Sequence, residues 1–210
     1  MCGIAGYSLG VDSCVDRTLA AQALLAGIAE RGADAVGYAH RGASPEVTIH
    51  KQMSGATALL EAIELPNDAT DALVHVRDYT KGHPTVLANN HPIRHGSVVG
   101  IHNGIIVNDE EILAAHGIER AEPDMTVDSE AIFALMELTG SDRAALEELR
   151  GSFREWAASA KIASESTVIF ASARAQEWGA RSSSSFVMIP LWIPTTGPWR
   201  TGWLLALIDG

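Results

Sequence analysis

The stretch Met1-Cys2-Gly3-Ile4-Ala5-Gly6 opens the chain and carries the most chemical information in it. A cysteine directly behind the initiator methionine becomes the N-terminus once that methionine is removed. Cys2 would then carry both a thiol and a free α-amine. The amine titrates near pH ~7.7–8 and can act as a general base at neutral pH, and a thiolate is a strong nucleophile. From these residues alone, an incidental or buried terminal thiol is the alternative interpretation.

The composition predicts one globular domain over residues 2–210. The chain has 210 residues, of which 47% are hydrophobic, so it can bury a sizeable core. Its net charge of −11 argues against nucleic acid and against an anionic membrane surface as partners. No apolar run approaches the ~18–20 residues that span a bilayer, and no signal peptide is visible. Two cysteines without a Cys-x-x-Cys motif favour a cytoplasmic location.

Short strands alternate with amphipathic helices along the first 150 residues. Strands are predicted at 3–8, 46–50, 72–77 and 97–102, and helices at 17–30, 55–64, 109–115, 129–138 and 142–150. Two of the strands, 72–77 and 97–102, run directly into polar residues that we expect to form loops. Functional residues concentrate where a rigid scaffold ends in loops, so these two loops are the candidate site.

The two loops contain residue types suited to acyl-transfer chemistry. Arg77 ends the first strand, and an arginine there can bind a carboxylate with a bidentate fork. The pair Asn103-Gly104 follows the second strand and can offer a side-chain amide and a backbone N–H to one oxygen, as an oxyanion hole does. Each feature also has an ordinary interpretation. Asn-Gly is a common hairpin signal, and an arginine at a strand end often forms a surface salt bridge.

Taken together, six ordered motifs resemble the glutaminase domain of class II glutamine amidotransferases, which are N-terminal-nucleophile hydrolases. The resemblance is nearest to the glucosamine-6-phosphate synthase and amidophosphoribosyltransferase branch, and it covers residues 2–150. The motifs are CGI at 2–4, RGADAVG at 31–37, HVRDYTKG at 75–82, NNHP at 89–92, HNG at 102–104 and DSE at 128–130.

The resemblance implies an α+β fold of four layers, αββα, in which two antiparallel sheets stack face to face. It also implies a role for each matched residue. Cys2 would attack the side-chain amide of glutamine, with its own α-amine moving the proton. Asn103 and Gly104 would hold the oxyanion. Arg77 would bind the substrate α-carboxylate, with Thr80 as a second donor.

Asp128 would accept a hydrogen bond from the substrate α-ammonium group. Its ordinary interpretation is an N-cap of the helix predicted at 129–138, where aspartate is favoured. In the family, the turn that contains Arg31 and Asp34 braces the site, so we expect these two residues to be structural. Five histidines invite a metal interpretation, but their spacing matches no zinc signature, and we expect neither metal nor cofactor. These are His75, His83, His91, His95 and His102.

The sequence departs from the family pattern in two places. In the first loop, Asp78 follows the arginine where an aromatic residue is usual, and Lys81 stands where one branch has histidine. The second departure is the tail at 151–210, in which all five tryptophans lie. Strand-like stretches at 167–171, 186–193 and 203–208 could complete a sheet, whereas exposed tryptophans would form a docking surface.

Three functions remain open on the sequence. The first is a glutaminase that supplies ammonia to a separate synthase subunit, since no second domain is expected in 210 residues. The second is a stand-alone amidohydrolase acting on glutamine or a related γ-glutamyl amide. The third is a non-catalytic or truncated relative that binds a partner protein. The catalytic interpretations require that Met1 be removed, because a retained methionine blocks the α-amine of Cys2.

Overall fold

A computed structural model describes the chain over 2–44, 46–140, 143–162, 165–172, 188–191 and 202–206. Within these residues the strands are β1 (Gly3–Ser8), β2 (Ala35–Arg41), β3 (Thr48–Gln52), β4 (Asp71–Arg77), β5 (Ile93–His95), β6 (Val98–Ile106), β7 (Gly151–Ile162), β8 (Glu165–Ser172), β9 (Met188–Leu191) and β10 (Gly202–Ala206). The helices are α1 (Arg17–Ile28), α2 (Ala56–Leu60), α3 (Asp109–Ala115), α4 (Glu130–Thr139) and α5 (Arg143–Leu146).

The strands form two sheets, and every pairing within them is antiparallel. The first sheet has the order β3-β2-β4-β1-β10-β9, and the second has the order β5-β6-β7-β8. β1 therefore lies inside the first sheet, with β4 on one side and β10 on the other. Because its backbone groups are paired on both sides, the residue that precedes β1 starts from a fixed position.

Helices cover one face of each sheet. On the first sheet, α1 begins behind an N-cap at Asp16, whose carboxylate accepts a hydrogen bond from the Leu19 N–H at 2.9 Å. Its buried side chains recur at the spacing of one helix face and pack with α2 on the sheet; those of α1 are Ala21, Leu24, Leu25 and Ile28. On the second sheet, α3 and α4 bury a separate cluster in which Phe133 lies over Gly100 of β6.

A third, small cluster lies between the two sheets and contains Ile4, Leu73 and Ile101. Successive side chains of a strand point to opposite faces. On β4 the helix-covered face carries Val74 and Val76, so Leu73, His75 and Arg77 share the other face. The same alternation places Cys2 on the face of Ile4 and Asn103 on the face of Ile101. The residues expected to carry the chemistry thus converge at one end of the contact between the sheets.

The tail at 151–210 contributes strands to both sheets. The strand-like stretches at 167–171, 186–193 and 203–208 correspond to β8, β9 and β10, so strand formation there is confirmed. β10 pairs with β1, with Ala206 opposite Ala5, and β7 pairs with β6. Trp178, Trp192 and Trp199 lie outside the described residues, and so does the prediction about where their side chains lie.

Three boundary predictions were wrong: those of one strand and of two helices. The strand predicted to end at His102 continues to Ile106, so Asn103-Gly104 lies inside β6 and not in a loop. β7 accommodates this with one extra residue, since Asn103 is opposite Glu155 and Gly104 is opposite Phe153. The helices predicted at 55–64 and 142–150 are each a single short helix, α2 and α5.

Candidate active site

All six residues predicted to bind or transform substrate line one cavity of about 220 Å³. It opens where β1 begins and where β4 and β6 end. The polypeptide after β4 and the segment before α4 form its walls. The six are Cys2, Arg77, Thr80, Asn103, Gly104 and Asp128. They come from segments up to 126 positions apart in the chain, counting from Cys2 to Asp128. Their convergence was predicted from motif order and is a result of tertiary structure.

Cys2 lies at the cavity wall with its thiol against the backbone after β4. The Sγ donates to the Asp78 carbonyl oxygen at 3.3 Å and accepts from the Asp78 N–H at 3.4 Å. Burial raises the pKa of the Cys2 thiol, although the Asp78 N–H and the positive charge of Arg77 act in the opposite direction. The resting thiol is therefore protonated at neutral pH. A base must remove its proton before it can act as a nucleophile.

The turn after α1 holds Cys2 and the end of β4 in place. The Arg31 Nε donates to the Cys2 carbonyl oxygen at 3.2 Å. The Asp34 N–H donates to the Arg77 carbonyl oxygen at 3.0 Å, and the Asp34 carboxylate accepts from the Tyr79 N–H at 2.9 Å. Gly32 lies directly against the Arg77 carbonyl group. These contacts agree with the structural role predicted for Arg31 and Asp34.

Asn103 lines the same cavity as Arg77 and contacts Cys2 directly. Its Nδ2 donates to the Cys2 carbonyl oxygen at 3.2 Å. A carboxamide has two N–H donors, so one of them fixes the side chain beside Cys2 while the other can serve a ligand. The β6–β7 ladder changes register between Asn103 and Gly104. Such irregularities are common next to active sites because they redirect the backbone groups of one or two residues.

Arg77 is almost fully buried, at 2% exposure, and its guanidinium is held by three acceptors. Nη1 donates to Asn90 Oδ1, and Nη2 donates to the carbonyl oxygens of Lys81 and Gly82. Burial lowers the pKa of Arg77, while Cys2 and Asp128 raise it. Guanidinium nonetheless stays protonated in proteins. Of its five N–H groups, these contacts with described residues use three, and the two that remain are on Nε and Nη1.

Asp128 is buried at 2% exposure and supplies the cavity with a negative charge. Its Oδ2 accepts from the Ile106 N–H at 2.6 Å. The N-cap interpretation of Asp128 is therefore wrong: the residue before α4 is Ser129, and the Asp128 carboxylate is turned to the end of β6. Burial raises the pKa of Asp128, against the lowering effect of the Ile106 N–H.

Thr80 and Lys81 complete the wall that follows β4. Thr80 is exposed at the cavity, where its hydroxyl can reach a ligand. Lys81, the departure from the family pattern, forms an ion pair with Asp109 in which its Nζ contacts both carboxylate oxygens at 2.7 and 2.8 Å. This pairing gives the substitution at Lys81 a partner within the chain.

Three buried histidines lie at or beside the cavity, and two of them, His91 and His102, line it. The His75 and His91 rings lie 4.6 Å apart between centroids, and His102 Nδ1 is hydrogen-bonded to Ser129 Oγ at 2.9 Å. Burial lowers the pKa of His75 to about 3, and nearby Arg77 acts in the same direction. Burial lowers the pKa of His91 as well, so the His75 and His91 rings are neutral. Among the described residues, His, Cys, Asp and Glu side chains form no group of three that could hold a metal ion.

Asn89 and Asn90 belong to the motif at 89–92, and the sequence predicted no role for either of them. Asn90 is fully buried and holds Arg77, and its Nδ2 donates to the Pro84 carbonyl oxygen at 2.8 Å. Asn89 is also fully buried, and its Oδ1 accepts from the N–H groups of Thr126 and Val127 at 2.7 and 3.0 Å. Two adjacent asparagines in a loop were the available signal, because such residues replace missing backbone partners.

Solved structures with a similar fold are a glutamine phosphoribosylpyrophosphate (PRPP) amidotransferase from B. subtilis, complexed with ADP and GMP, and an allosteric regulatory enzyme of purine biosynthesis. The first is 20% identical, with a TM-score of 0.57 over 80% of this chain. The second is 18% identical, with a TM-score of 0.59 over 81% of this chain. The chain shares the fold of these two enzymes. The glutamine amidotransferase resemblance predicted from the motifs is thereby confirmed at the level of the fold, a mixed α/β architecture with antiparallel sheets.

This amidotransferase fold accounts for only part of the matched proteins, because the matched region covers 37% of each solved chain. No protein-family profile matches the chain, and no curated protein matches it in sequence. In the part of the chain that the structure describes, no helix combines the length and the apolar character needed to cross a membrane.

Proposed function

We propose that this protein hydrolyses the side-chain amide of glutamine to glutamate and ammonia through a thioester on Cys2. The observation that carries the proposal is the composition of the cavity around Cys2. A thiol, a carboxamide donor, a buried guanidinium and a buried carboxylate all line it. The fold shared with a glutamine PRPP amidotransferase supports the same chemistry.

The first step is attack of the Cys2 sulfur on the amide carbon. Because burial raises the pKa of this thiol, the step needs a base close to the sulfur. The α-amine of Cys2 meets that need once Met1 is removed, since it titrates near pH ~7.7–8. The amine then returns the proton to the leaving nitrogen, ammonia departs, and water hydrolyses the thioester.

Asn103 and Gly104 stabilise the negative charge that develops on the amide oxygen. Asn103 is held beside Cys2 by its hydrogen bond to the Cys2 carbonyl oxygen. This contact keeps the donor in position before the substrate binds, and pre-oriented donors contribute most to such stabilisation. Removal of one oxyanion donor typically costs ~2.7–4 kcal/mol of transition-state stabilisation.

Arg77 and Asp128 bind the two charged groups of the amino-acid substrate. A free amino acid carries a carboxylate and an ammonium, so its recognition requires one cation and one anion at a fixed spacing. Arg77 lies at one side of the cavity with two N–H groups to offer, Thr80 supplies a further hydroxyl, and Asp128 supplies the anion. A peptide or protein amide lacks these charges, which makes a free γ-amide amino acid the preferred substrate.

Further parts of the proposal concern the fold, the location and the partners of the protein. The third cluster between the sheets and the helices on their opposite faces support the four-layer αββα arrangement. We place the whole of residues 2–210 in one domain of the cytoplasm, acting without metal or cofactor, and without nucleic acid or membrane as partner. Its ammonia would pass to a separate synthase subunit. The match to one solved amidotransferase supports a separate subunit, because it covers 37% of that chain and leaves the rest of it unmatched.

The test is glutamate release from glutamine, measured for wild type, Cys2→Ala and Cys14→Ala. Cys14 is the exposed second cysteine and makes a matched control. We expect Cys14→Ala to match wild type and Cys2→Ala to lose at least about 10³-fold in kcat, as removal of a nucleophile does. A wild-type protein that releases no glutamate would favour the partner-binding alternative. Full activity of Cys2→Ala would refute the assigned nucleophile.

A further inference from the structure

Asp109 is a buried acid outside the motifs, and it joins the two walls of the cavity. It is 2% exposed at the start of α3. One side of its carboxylate is bound by the Lys81 ammonium at 2.7 and 2.8 Å. Its Oδ2 also accepts from Arg120 Nη2 at 3.2 Å. Burial of an acid is tolerated where it is paired with cations in this way.

Lys81 connects this network to the cation of the site. Its backbone carbonyl oxygen accepts from Arg77 Nη2 at 2.8 Å, while its side chain is anchored on Asp109. A displacement of Lys81 would therefore move one of the three acceptors that orient the Arg77 guanidinium.

Arg120 connects the network to the anion of the site. Its Nη1 donates at 3.0 Å to the Val127 carbonyl oxygen, directly before Asp128, and at 3.0 Å to Oε2 of the fully buried Glu130. The network thus holds Asp128 from both neighbouring sides in the chain. We propose that Asp109 is a positioning residue that sets the spacing between Arg77 and Asp128 by holding Lys81 and Arg120 together.

This inference rests on the proposed function, in which Arg77 and Asp128 bind the carboxylate and ammonium of one amino acid. It makes a prediction that simple electrostatics does not. Through-space effects alone would give the two variants opposite results. Asp109→Asn removes a negative charge that attracts the ammonium and would weaken its binding, whereas Lys81→Met removes a positive charge that repels the ammonium and would improve its binding. Positioning predicts that both variants weaken binding, and that the double variant is no worse than either single one.

The experiment measures inactivation of Cys2 by two electrophiles in the full-length protein. One is a diazoketone analogue of glutamine, which carries the α-carboxylate and α-ammonium. The other is iodoacetamide, which carries neither. For Asp109→Asn and Lys81→Met we expect inactivation by the glutamine analogue to need about ten-fold higher concentrations, a change of roughly 1.4 kcal/mol. The rate with iodoacetamide should stay within two-fold of wild type, because Cys2 itself is not moved.

Glu111→Gln is the matched control. Glu111 lies in the same first turn of α3 and pairs with Arg150, but this pair is exposed and shares no hydrogen bond with Lys81 or Arg120 among the described contacts. It should behave as wild type with both reagents. If Asp109→Asn fails to fold, judged by urea unfolding, Lys81→Met alone decides, because the Lys81 side chain is 38% exposed.

Two results would overturn the inference, and they have different meanings. If wild type shows no preference for the glutamine analogue over iodoacetamide, the proposed substrate is wrong and the inference fails with it. If wild type shows the preference but Lys81→Met or Asp109→Asn retains or improves it, the proposed function stands and the positioning role is wrong.

Discussion

Replacing Gly32 by alanine should misplace the backbone that contacts the Cys2 sulfur. A Cβ built at Gly32 would lie 2.5 Å from both the carbonyl carbon and oxygen of Arg77, and 2.9 Å from the Asp78 nitrogen. These are backbone atoms of β4 and its end, so they cannot rotate away as a side chain could. The φ of Gly32 is −170°, an extended value that alanine also adopts. The cost is therefore purely steric.

The size of the displacement follows from these distances. Non-bonded carbon and oxygen atoms prefer separations of about 3.5 Å or more, so the Arg77–Asp78 peptide must move by roughly 1 Å. Asp78 holds the Cys2 Sγ through contacts of 3.3 and 3.4 Å, which a shift of this size disrupts. We expect a loss of about 1–3 kcal/mol in the free energy of unfolding, typical of overpacking. Misplacement by about 1 Å should also lower kcat for glutamine by roughly 10²-fold.

Gly27→Ala supplies the control, because a Cβ at Gly27 in α1 meets no atom within 4 Å. Alanine should stabilise that helix by up to about 1 kcal/mol and leave kcat unchanged. The assays are urea unfolding and glutamate release, both on purified full-length protein. If Gly32→Ala retained wild-type kcat and stability, the close approach between this turn and the end of β4 would be wrong. The claim that the turn positions Cys2 would then be refuted.

Four further predictions concern charged and titratable groups at the site. Asp128→Asn should abolish saturable glutamine binding without lowering the free energy of unfolding. Asparagine can still accept a hydrogen bond from the Ile106 N–H, while the buried charge is removed. Loss of folding would contradict this prediction. Burial raises the pKa of Asp128, and only its ionised form binds ammonium. The KM for glutamine in wild type should therefore rise as the pH falls through that raised pKa, whereas kcat should show no change over the same pH range. Arg77→Lys should raise KM about ten-fold or more, because lysine lacks the planar fork, and an unchanged KM would refute the carboxylate assignment. His75 has a pKa of about 3 in the folded protein and ~6.5 in the unfolded chain, so the unfolded chain binds a proton first as the pH falls. Its contribution to the free energy of unfolding should therefore fall by about 1.4 kcal/mol per pH unit below pH ~6.5. His75→Leu should reduce this slope in urea unfolding at pH 5 and 7, and an unaltered slope would contradict the prediction.

Strand ends and motif order explain why much of the site could be predicted from the sequence. Arg77 ends the stretch at 72–77 and Asn103 directly follows the stretch at 97–102, so both were expected where a strand meets a loop. The resemblance carried by the ordered motifs then placed both with Cys2. Hydrophobic patterning is local, so it is readable without the fold.

The features that were missed depend on contacts between distant segments. No sequence feature near Asn103 indicates the extra residue in β7, which allows β6 to continue through Asn103. The N-cap expectation for Asp128 relied on local propensity, whereas the free N–H of Ile106, 22 positions away, binds the carboxylate instead. The Lys81–Asp109 pair spans 28 positions and has no local signature. Tertiary partners of this kind override local preference, and they position the site.

The most direct test of the central claim is the site of covalent modification by a diazoketone analogue of glutamine, located by mass spectrometry of digested protein. We expect a single adduct on Cys2, found only in chains that have lost Met1, because the α-amine that removes the thiol proton is blocked in chains that retain it. An adduct on Cys14, or labelling of Cys2 at equal rates in chains with and without Met1, would contradict it.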